Sequence, residues 1–489
     1  MPQFGILHDD ALYVVAGKSI ADGLGPKISS MPKEPAQTKY PPGLPLLISL
    51  VWKAHPRFEG IRPWLTLLAW SFVPLLCGLL FVLYRRWGVP VSGAWTLVAL
   101  LALNGNLALF GTLVMSEVLF TALLAATMIA VDRQRWLLAG LLGACAFLTR
   151  TTGLVLLVAV PVGVWMHRRH WKGLIVSAVL LPFAAAWSLW TRMYRSSGND
   201  HMTAYYSDYV KDLLWNATPS NYHLILWNNY DQWLSGVAEL LVQDPGMGPI
   251  SHPIMMGLVL FAVFGVWRLC RQYRGAIPYA LTGLLMSLML IAWCYPPNER
   301  LVFPVFPVLL AGIVFELTRF ARTIADAWKT QRAAAVIFGV VFAGMLSLAF
   351  WRHFDYWWDV LPDYYSRQTR VTADNNACYE RIQTELPASA TFAAHHDPVL
   401  WLATGRHGIR PMFRTALWYE GRLEEIPAVF KDAVGFARRH ELRYVFQNRL
   451  VEGDMNSKQF REYWDALQAN PELEPVFTCG MTRVWRVRE

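Results

Sequence analysis

Ten apolar stretches divide the first 351 residues: 64–84, 92–113, 116–131, 136–149, 152–166, 173–194, 253–269, 277–294, 301–318 and 333–351. Several fall short of the roughly 20 residues that a membrane-spanning helix prefers. The stretch 136–166 admits one long helix or two short ones. Arg150-Thr151-Thr152-Gly153 interrupts it, and a lone arginine at mid-bilayer depth is costly. Counting crossings decides between them. With two helices, Arg85-Arg86, Arg133/Arg135, Arg168-Arg169-Lys172, Arg268/Arg271/Arg274 and Arg319/Arg322/Lys329/Arg332 all fall on one side of the membrane. With one helix, every cluster after Arg135 changes side. The positive-inside rule selects two.

That topology sends residues 1–63, the loop 195–252 and the tail 352–489 to the non-cytoplasmic face, around a transmembrane domain at 64–351. Met1 is followed by a polar segment rather than a signal peptide. A first transmembrane helix encoded upstream of Met1 is therefore expected. In the loop, Leu226, Tyr230, Trp233, Val237 and Leu241 recur at helical spacing, predicting an amphipathic helix that lies in the interface or packs on the protein. Asn216-Ala217-Thr218 matches a glycosylation sequon, but Pro219 follows and chance matches are common.

The tail predicts a small α/β domain. Strands are expected at Ala390–Ala394 and Leu442–Gln447, and a hairpin over Val476–Val487 that turns near Gly480. Asp397-Pro398 should cap and open a short helix closed by Gly405, and Glu424–His440 should form another. The fold class is thus mainly α: a polytopic transmembrane helix bundle with a small C-terminal extracytoplasmic α/β domain.

Composition agrees. Of 489 residues, 55% are hydrophobic and only 16% charged, against about 25% charge in ordinary soluble domains. The 23 Trp and 19 Tyr suit two membrane interfaces. The net charge of +9 does not mark a nucleic-acid binder, because from Arg352 onward 18 Lys/Arg meet 19 Asp/Glu. The basic excess lies among the apolar stretches. Cys77, Cys145, Cys270 and Cys294 sit in or beside those stretches as small buried hydrophobes. Cys378 and Cys479, in the tail, are candidates for a disulfide or for two unpaired buried thiols. His395-His396-Asp397 lacks a third ligand at a telling spacing, which favours a structural role over a metal site.

The candidate chemistry gathers on the predicted outer face: Asp9, Asp10, Lys39, Glu117, Arg150, Glu299 and Arg300. Transfer from a phosphorylated donor needs a carboxylate to take the proton of an acceptor hydroxyl. It also needs a cation to stabilise charge on the departing phosphate.

His8-Asp9-Asp10-Ala11-Leu12-Tyr13 resembles the acidic motif that opens the first outer loop of GT-C-type glycosyltransferases, in the branch holding protein O-mannosyltransferases and lipid A aminoarabinose transferases. Lys39-Tyr40-Pro41-Pro42-Gly43 is similar to that branch's Lys-Pro-Pro segment, and Ser116-Glu117 to the acidic start of a later helix. Thr149-Arg150-Thr151-Thr152-Gly153 resembles its Thr-Arg-x-x-Gly turn. Arg300-Leu301-Val302-Phe303-Pro304 resembles its Arg-Tyr-x-x-Pro helix start. Each motif is weak alone, but five stand in the right order across residues 8–350.

The resemblance implies a polyprenyl-phosphate-linked sugar donor, a lipid, glycan or protein acceptor, inversion at the anomeric carbon, and residence in a bacterial inner membrane among membrane lipid. It implies that Asp9 acts on the acceptor, that Lys39 and Arg300 contact the donor and its phosphate, and that Tyr40, Glu117, Arg150 and Glu299 belong to the substrate site. Asp10 stands where the branch has Glu, so both aspartates remain candidates for the base. Some relatives use a divalent metal and others do not, so the resemblance leaves a metal open. The competing readings are a lipid or polysaccharide transporter and a catalytically inactive glycan-binding relative. Against the transporter, the strongest acidic motif lies in a loop, and no pair of broken helices repeats between halves.

Overall fold

The structure is a computed structural model and describes residues 4–5, 7–195, 201–243, 251–330, 332–450 and 456–488. All ten apolar stretches are helical. Among the described residues, six helices are long and apolar enough to cross a membrane: Phe58–Trp87, Thr151–Arg168, Leu174–Tyr194, His252–Gln272, Arg274–Ile291 and Glu299–Asp326. On Phe58–Trp87, Ile61, Leu65, Ala69, Phe72, Leu76, Leu80 and Leu83 form one buried face. Trp64, Leu67, Trp70 and Leu75 are exposed on the other. Apolar residues on both faces are what a helix between protein and lipid requires.

The stretch 92–113 departs from a single span. It is two helices, Val91–Ala102 and Gly105–Thr112, bent by 61°. Asn104 makes the break. Its side-chain oxygen accepts from the backbone of Asn106 and Leu107, and its amide donates to the Leu240 carbonyl at 2.7 Å. A side-chain N-cap competes with helix continuation, and here it wins.

Glu117–Asp132 has 16 residues. At 1.5 Å per residue it spans about 24 Å, short of the roughly 30 Å hydrocarbon core. It is buried on nearly every side. It runs through the centre of the bundle, and its two ends orient the rest. At one end Asp132 accepts from Arg86 at 2.5 Å and from Arg168 at 3.2 Å. At the other, Glu117 meets Arg150 at 2.5 Å. Trp136–Thr149 and Thr151–Arg168 are thus separate antiparallel helices with Arg150 between them, as the arginine clusters require. Residues 251–272 and 306–330 pack closely against each other. A Cβ on Gly312 would lie 2.6 Å from the Ala262 carbonyl oxygen, so only glycine permits the approach.

Tyr222–Val242 is a helix, but its buried residues include Ile225, Asn229, Trp233, Val237 and Leu240. The expected stripe is therefore partly met: Trp233 and Val237 are buried and Leu241 packs on the core, while the first turns are shifted by one residue. Leu226 is exposed and Asn229 is the inward residue, its amide donating to the Ile291 carbonyl and its oxygen accepting from Tyr419 at 2.7 Å. A satisfied polar side chain is as much at home inside as an apolar one. Asn216 is fully buried, its amide bonded to Asp212, which leaves the sequon no accessible nitrogen.

The tail carries a five-stranded sheet in the order β2-β1-β3-β5-β4, with β1 Phe392–Ala394, β2 Gly408–Ile409, β3 Tyr444–Gln447, β4 Leu473–Cys479 and β5 Thr482–Val487. β1 pairs parallel with β2 and β3, and β5 is antiparallel to β3 and β4. The predicted strands and hairpin are present, with Gly480 at φ 56°. The helix expected at Glu424–His440 is broken at Asp432 into Ile426–Lys431 and Ala433–Arg439. Ser457–Ala469, opened by an Asn456/Gln459 capping box, is a helix the sequence reading did not anticipate. So is Leu361–Glu385, which continues Arg332–Asp355 through a π-helical turn at Tyr356–Val360. Cys378 and Cys479 are both buried as free thiols, with the Cys378 thiol directed at the Thr482 carbonyl oxygen 3.8 Å away.

Candidate active site

Several of the charged residues singled out in the sequence lie at helix starts. Asp9 opens Asp9–Ala21, Glu117 opens Glu117–Asp132, and Arg300 lies in the first turn of Glu299–Val302, capped by Asn298. Arg150 occupies the extended link ahead of Thr151–Val155. A carboxylate at a helix N-terminus is favoured by unpaired N–H groups and by the helix dipole. Asp9 and Glu117 therefore sit where carboxylates are favoured, and the arginines reach in to them.

They form a chain. Asp9 Oδ2 accepts from Arg300 Nη2 at 3.0 Å, and Asp9 Oδ1 accepts from the Tyr40 hydroxyl at 2.6 Å. Arg300 Nε lies 3.2 Å from Glu117 Oε1, an ion pair without hydrogen-bond alignment. Arg150 Nη1 donates to the same Glu117 oxygen at 2.5 Å and to Ser116 Oγ at 3.1 Å. The Tyr13 hydroxyl, at 3.1 Å, also meets Ser116 Oγ. Glu117 is fully buried, while Arg150, Arg300 and Asp9 are 14%, 15% and 17% exposed, so the chain is closed at its middle and partly open on both sides, Asp9 being the carboxylate that reaches the opening. Burial pushes the Asp9 pKa up, but Arg300, Lys39 and the Tyr40 hydroxyl outweigh it and hold the carboxyl at about 2.

Lys39 is also buried. Its ammonium lies 3.1 Å over the Tyr205 ring centroid, with Tyr40 at 5.2 Å and Tyr295 at 5.5 Å. Burial lowers its pKa to about 8 against the pull of the Asp9 and Asp212 carboxylates. Asp212 accepts a hydrogen bond from the Tyr295 hydroxyl. Tyr205, Tyr295 and Asp212 are site neighbours that sequence reasoning missed. The Tyr205-Tyr206 pair in an otherwise polar loop was the available signal.

Asp10 faces elsewhere. Its carboxylate accepts from the Gly5 and Ala11 backbone N–H groups at 2.7 and 2.9 Å, and burial raises its pKa to about 7 despite them. Glu299 is half-buried beside Arg300, and its carboxyl takes a hydrogen bond from its own backbone N–H. No three His, Cys, Asp or Glu side chains group to hold a metal ion among the described residues.

Asp9 follows a strained turn. Its N–H bonds the Leu7 carbonyl 2.6 Å away, and His8 between them has φ 59° and ψ −46°. That is close to the rare γ-turn conformation, which costs a non-glycine residue about 1–3 kcal/mol.

Over 98% of this chain and 93% of the other, the structure aligns with the crystal structure of ArnT from Cupriavidus metallidurans bound to undecaprenyl phosphate, at TM-score 0.51 and 13% identity. It also aligns with the archaeal oligosaccharyltransferase AglB from Archaeoglobus fulgidus, in complex with an inhibitory peptide and a dolichol-phosphate, at TM-score 0.52 and 10% identity. That match covers 91% of this chain and 66% of AglB. Both are GT-C glycosyltransferases.

The fold is the GT-C fold. No protein-family model and no curated sequence matches the chain. At these identities the likeness speaks for the GT-C scaffold alone, and the chemistry has to come from the side chains.

Proposed function

We propose that this protein transfers a sugar from a polyprenyl-phosphate donor to an acceptor hydroxyl at the outer face of a bacterial inner membrane, inverting the anomeric carbon, with Asp9 as general base. The observation that carries the reading is Arg300 bridging the partly exposed Asp9 and the buried Glu117, beside Lys39. The ArnT and AglB structures hold undecaprenyl phosphate and dolichol-phosphate, which supports a lipid-phosphate donor on this scaffold.

The acceptor oxygen attacks the anomeric carbon while its proton passes to an Asp9 oxygen. The bond from that carbon to the phosphate oxygen breaks, and its electron pair leaves with the phosphate. Arg300 and Lys39 stabilise that charge, Arg150 and Glu117 hold the Arg300 guanidinium in place, and Tyr40 orients Asp9. A carboxyl at about 2 is ionised at neutral pH but weakly basic. A donor phosphate that draws Arg300 and Lys39 toward itself adds negative charge beside Asp9 and raises its basicity when an acceptor is needed. Residues 1–63 supply the base and Lys39, residues 64–351 supply Glu117, Arg150 and Arg300, and residues 352–489 form an outer domain.

The test is transfer from a polyprenyl-phosphate sugar by the full chain reconstituted in lipid. Asp9→Asn should lower turnover by about 10²- to 10⁴-fold with donor binding little changed. Normal turnover in both Asp9→Asn and Asp10→Asn would remove the mechanism.

A further inference from the structure

The turn that delivers Asp9 is held from the C-terminal domain. The His8 ring is locked on several sides. Its Nε2 lies 3.1 Å from Asp397 Oδ1, and the Tyr206 hydroxyl lies 3.1 Å from the same nitrogen. Tyr206 stacks on the ring at 27°, and His396 meets it edge-on. Asp397 Oδ2 accepts from Ser30 Oγ at 3.1 Å, and the Ser30 carbonyl accepts from Gly408 N–H at 2.9 Å. Asp397 was expected to cap its own helix, Asp397–Thr404. Instead His396 holds the cap position, no side chain bonds there, and both Asp397 oxygens point into the first loop. His8, Tyr206 and Asp397 are all at most 3% exposed. A Cβ on Gly5 would fall 2.1 Å from Val399, so the preceding turn also presses on that helix.

We infer that Asp397 is a positioning residue for the transfer reaction: through His8 it holds the strained turn that aims the Asp9 carboxylate at Arg300 and Tyr40. The C-terminal domain is then part of the transfer site. The Asp397 carboxyl keeps a bond to its own backbone N–H, but both of its side-chain partners, His8 and Ser30, lie in the first loop, so it ties the strained turn to the C-terminal domain. Burial pushes the Asp397 carboxyl up and the His8 imidazole down, both toward their uncharged forms, and an amide has the shape and hydrogen-bonding reach to replace the carboxyl.

The inference rests on Asp9 as the base, and the test separates the two. In the full chain, Asp397→Ala and His8→Ala should lower kcat by about tenfold to a hundredfold, the cost of a small misplacement. Donor KM should stay within about twofold, because Lys39 and Arg300 are untouched. Asp397→Asn should restore turnover. In the Asp9→Asn background, Asp397→Ala should change nothing further, since what it aims is gone, whereas general damage to the fold would multiply the losses. Unchanged kcat in His8→Ala, or full multiplication in the double variant, overturns the inference. Where Asp397→Ala yields no folded protein by size exclusion, His8→Ala and Asp397→Asn decide it. An inactive Asp9→Asn beside normal His8→Ala and Asp397→Ala removes the positioning role alone; a fully active Asp9→Asn removes the base.

Discussion

The two ends of the central helix carry clusters built from the same residue types and put to different uses. At one end Asp132 is gripped by Arg86 and Arg168, with all three side chains 18–32% exposed. At the other, Glu117 is gripped by Arg150 and Arg300 with no exposure of its own, and Arg300 passes on to Asp9. Exposed pairs gain about 0–1 kcal/mol and serve as anchors. A buried chain carries a desolvation cost that its own attraction does not reliably return, so stability is a weak reason for it. The contrast teaches that burial and connectivity, more than charge, separate a fastening from a site.

The sharpest way to break the comparison is to remove one carboxylate from each end. Asp9→Asn should lose about 10²- to 10⁴-fold in turnover, and Asp10→Asn much less, because Asp10 is committed to backbone N–H groups. Asp132→Asn should leave turnover intact. Equal losses at the two ends, measured as transfer per folded protein, would show that the clusters differ only in exposure.

The next effect is on stability. Glu117→Ala leaves Arg150 and Arg300 without their shared carboxylate in a buried setting, a loss of about 3–5 kcal/mol. A clear drop in melting temperature should accompany lost activity. Glu117→Gln keeps the shape and should melt between the two. A Glu117→Ala protein that melts like the wild type would mean that water reaches the chain freely.

Much of this contrast was legible in the sequence. Arginine parity placed Arg86 and Arg168 at one end and Arg150 and Arg300 at the other, because charge and crossing number constrain each other. The motif order brought out Asp9, Lys39, Glu117, Arg150 and Arg300. Their joining was not legible: nothing in the spacing of Glu117 and Arg300 says that one guanidinium bridges two carboxylates from different helices. Asn104-Gly105 inside an apolar run was a readable break, hidden by the length of the run. The helix at 222–242 was legible, and Trp233 and Val237 of its stripe are buried, but its first turns face in through Ile225 and Asn229, because periodicity assumes that asparagine faces outward while Asn229 finds two backbone carbonyls inside. Asp397 was read through its neighbours in sequence, where it looks like a cap, and its partners lie near residue 8.

Lys39 gives a pH-dependent test of the buried end. Burial holds its pKa near 8, so the cation is present below that value and is lost as pH rises through it. The profile of kcat/KM for the donor reports groups of the free enzyme. It should fall about tenfold per pH unit above 8 if the neutral amine cannot hold phosphate. Lys39→Arg stays charged across this range, and its profile should be lower but flat to pH 10. A falling limb that persists in Lys39→Arg would assign the titration to another group.

The smallest effect belongs to the exposed end. Arg86→Ala and Arg168→Ala each remove one partner of Asp132 and leave the other, so each should cost at most about 1 kcal/mol. The melting temperature should move by only a few degrees, and less at high salt, because charges this exposed are screened within about 8 Å at physiological ionic strength. Arg300→Ala at the buried end also leaves Glu117 one partner, Arg150, yet it should weaken donor binding and slow transfer together, with little dependence on salt. That difference comes from what the arginine faces. Among the described residues the Arg86 guanidinium bonds Asp132, whereas Arg300 reaches Asp9, the proposed base, as well as Glu117. A salt-sensitive, purely thermal defect in Arg300→Ala would make it a second anchor, and the two ends of the bundle would then be the same device.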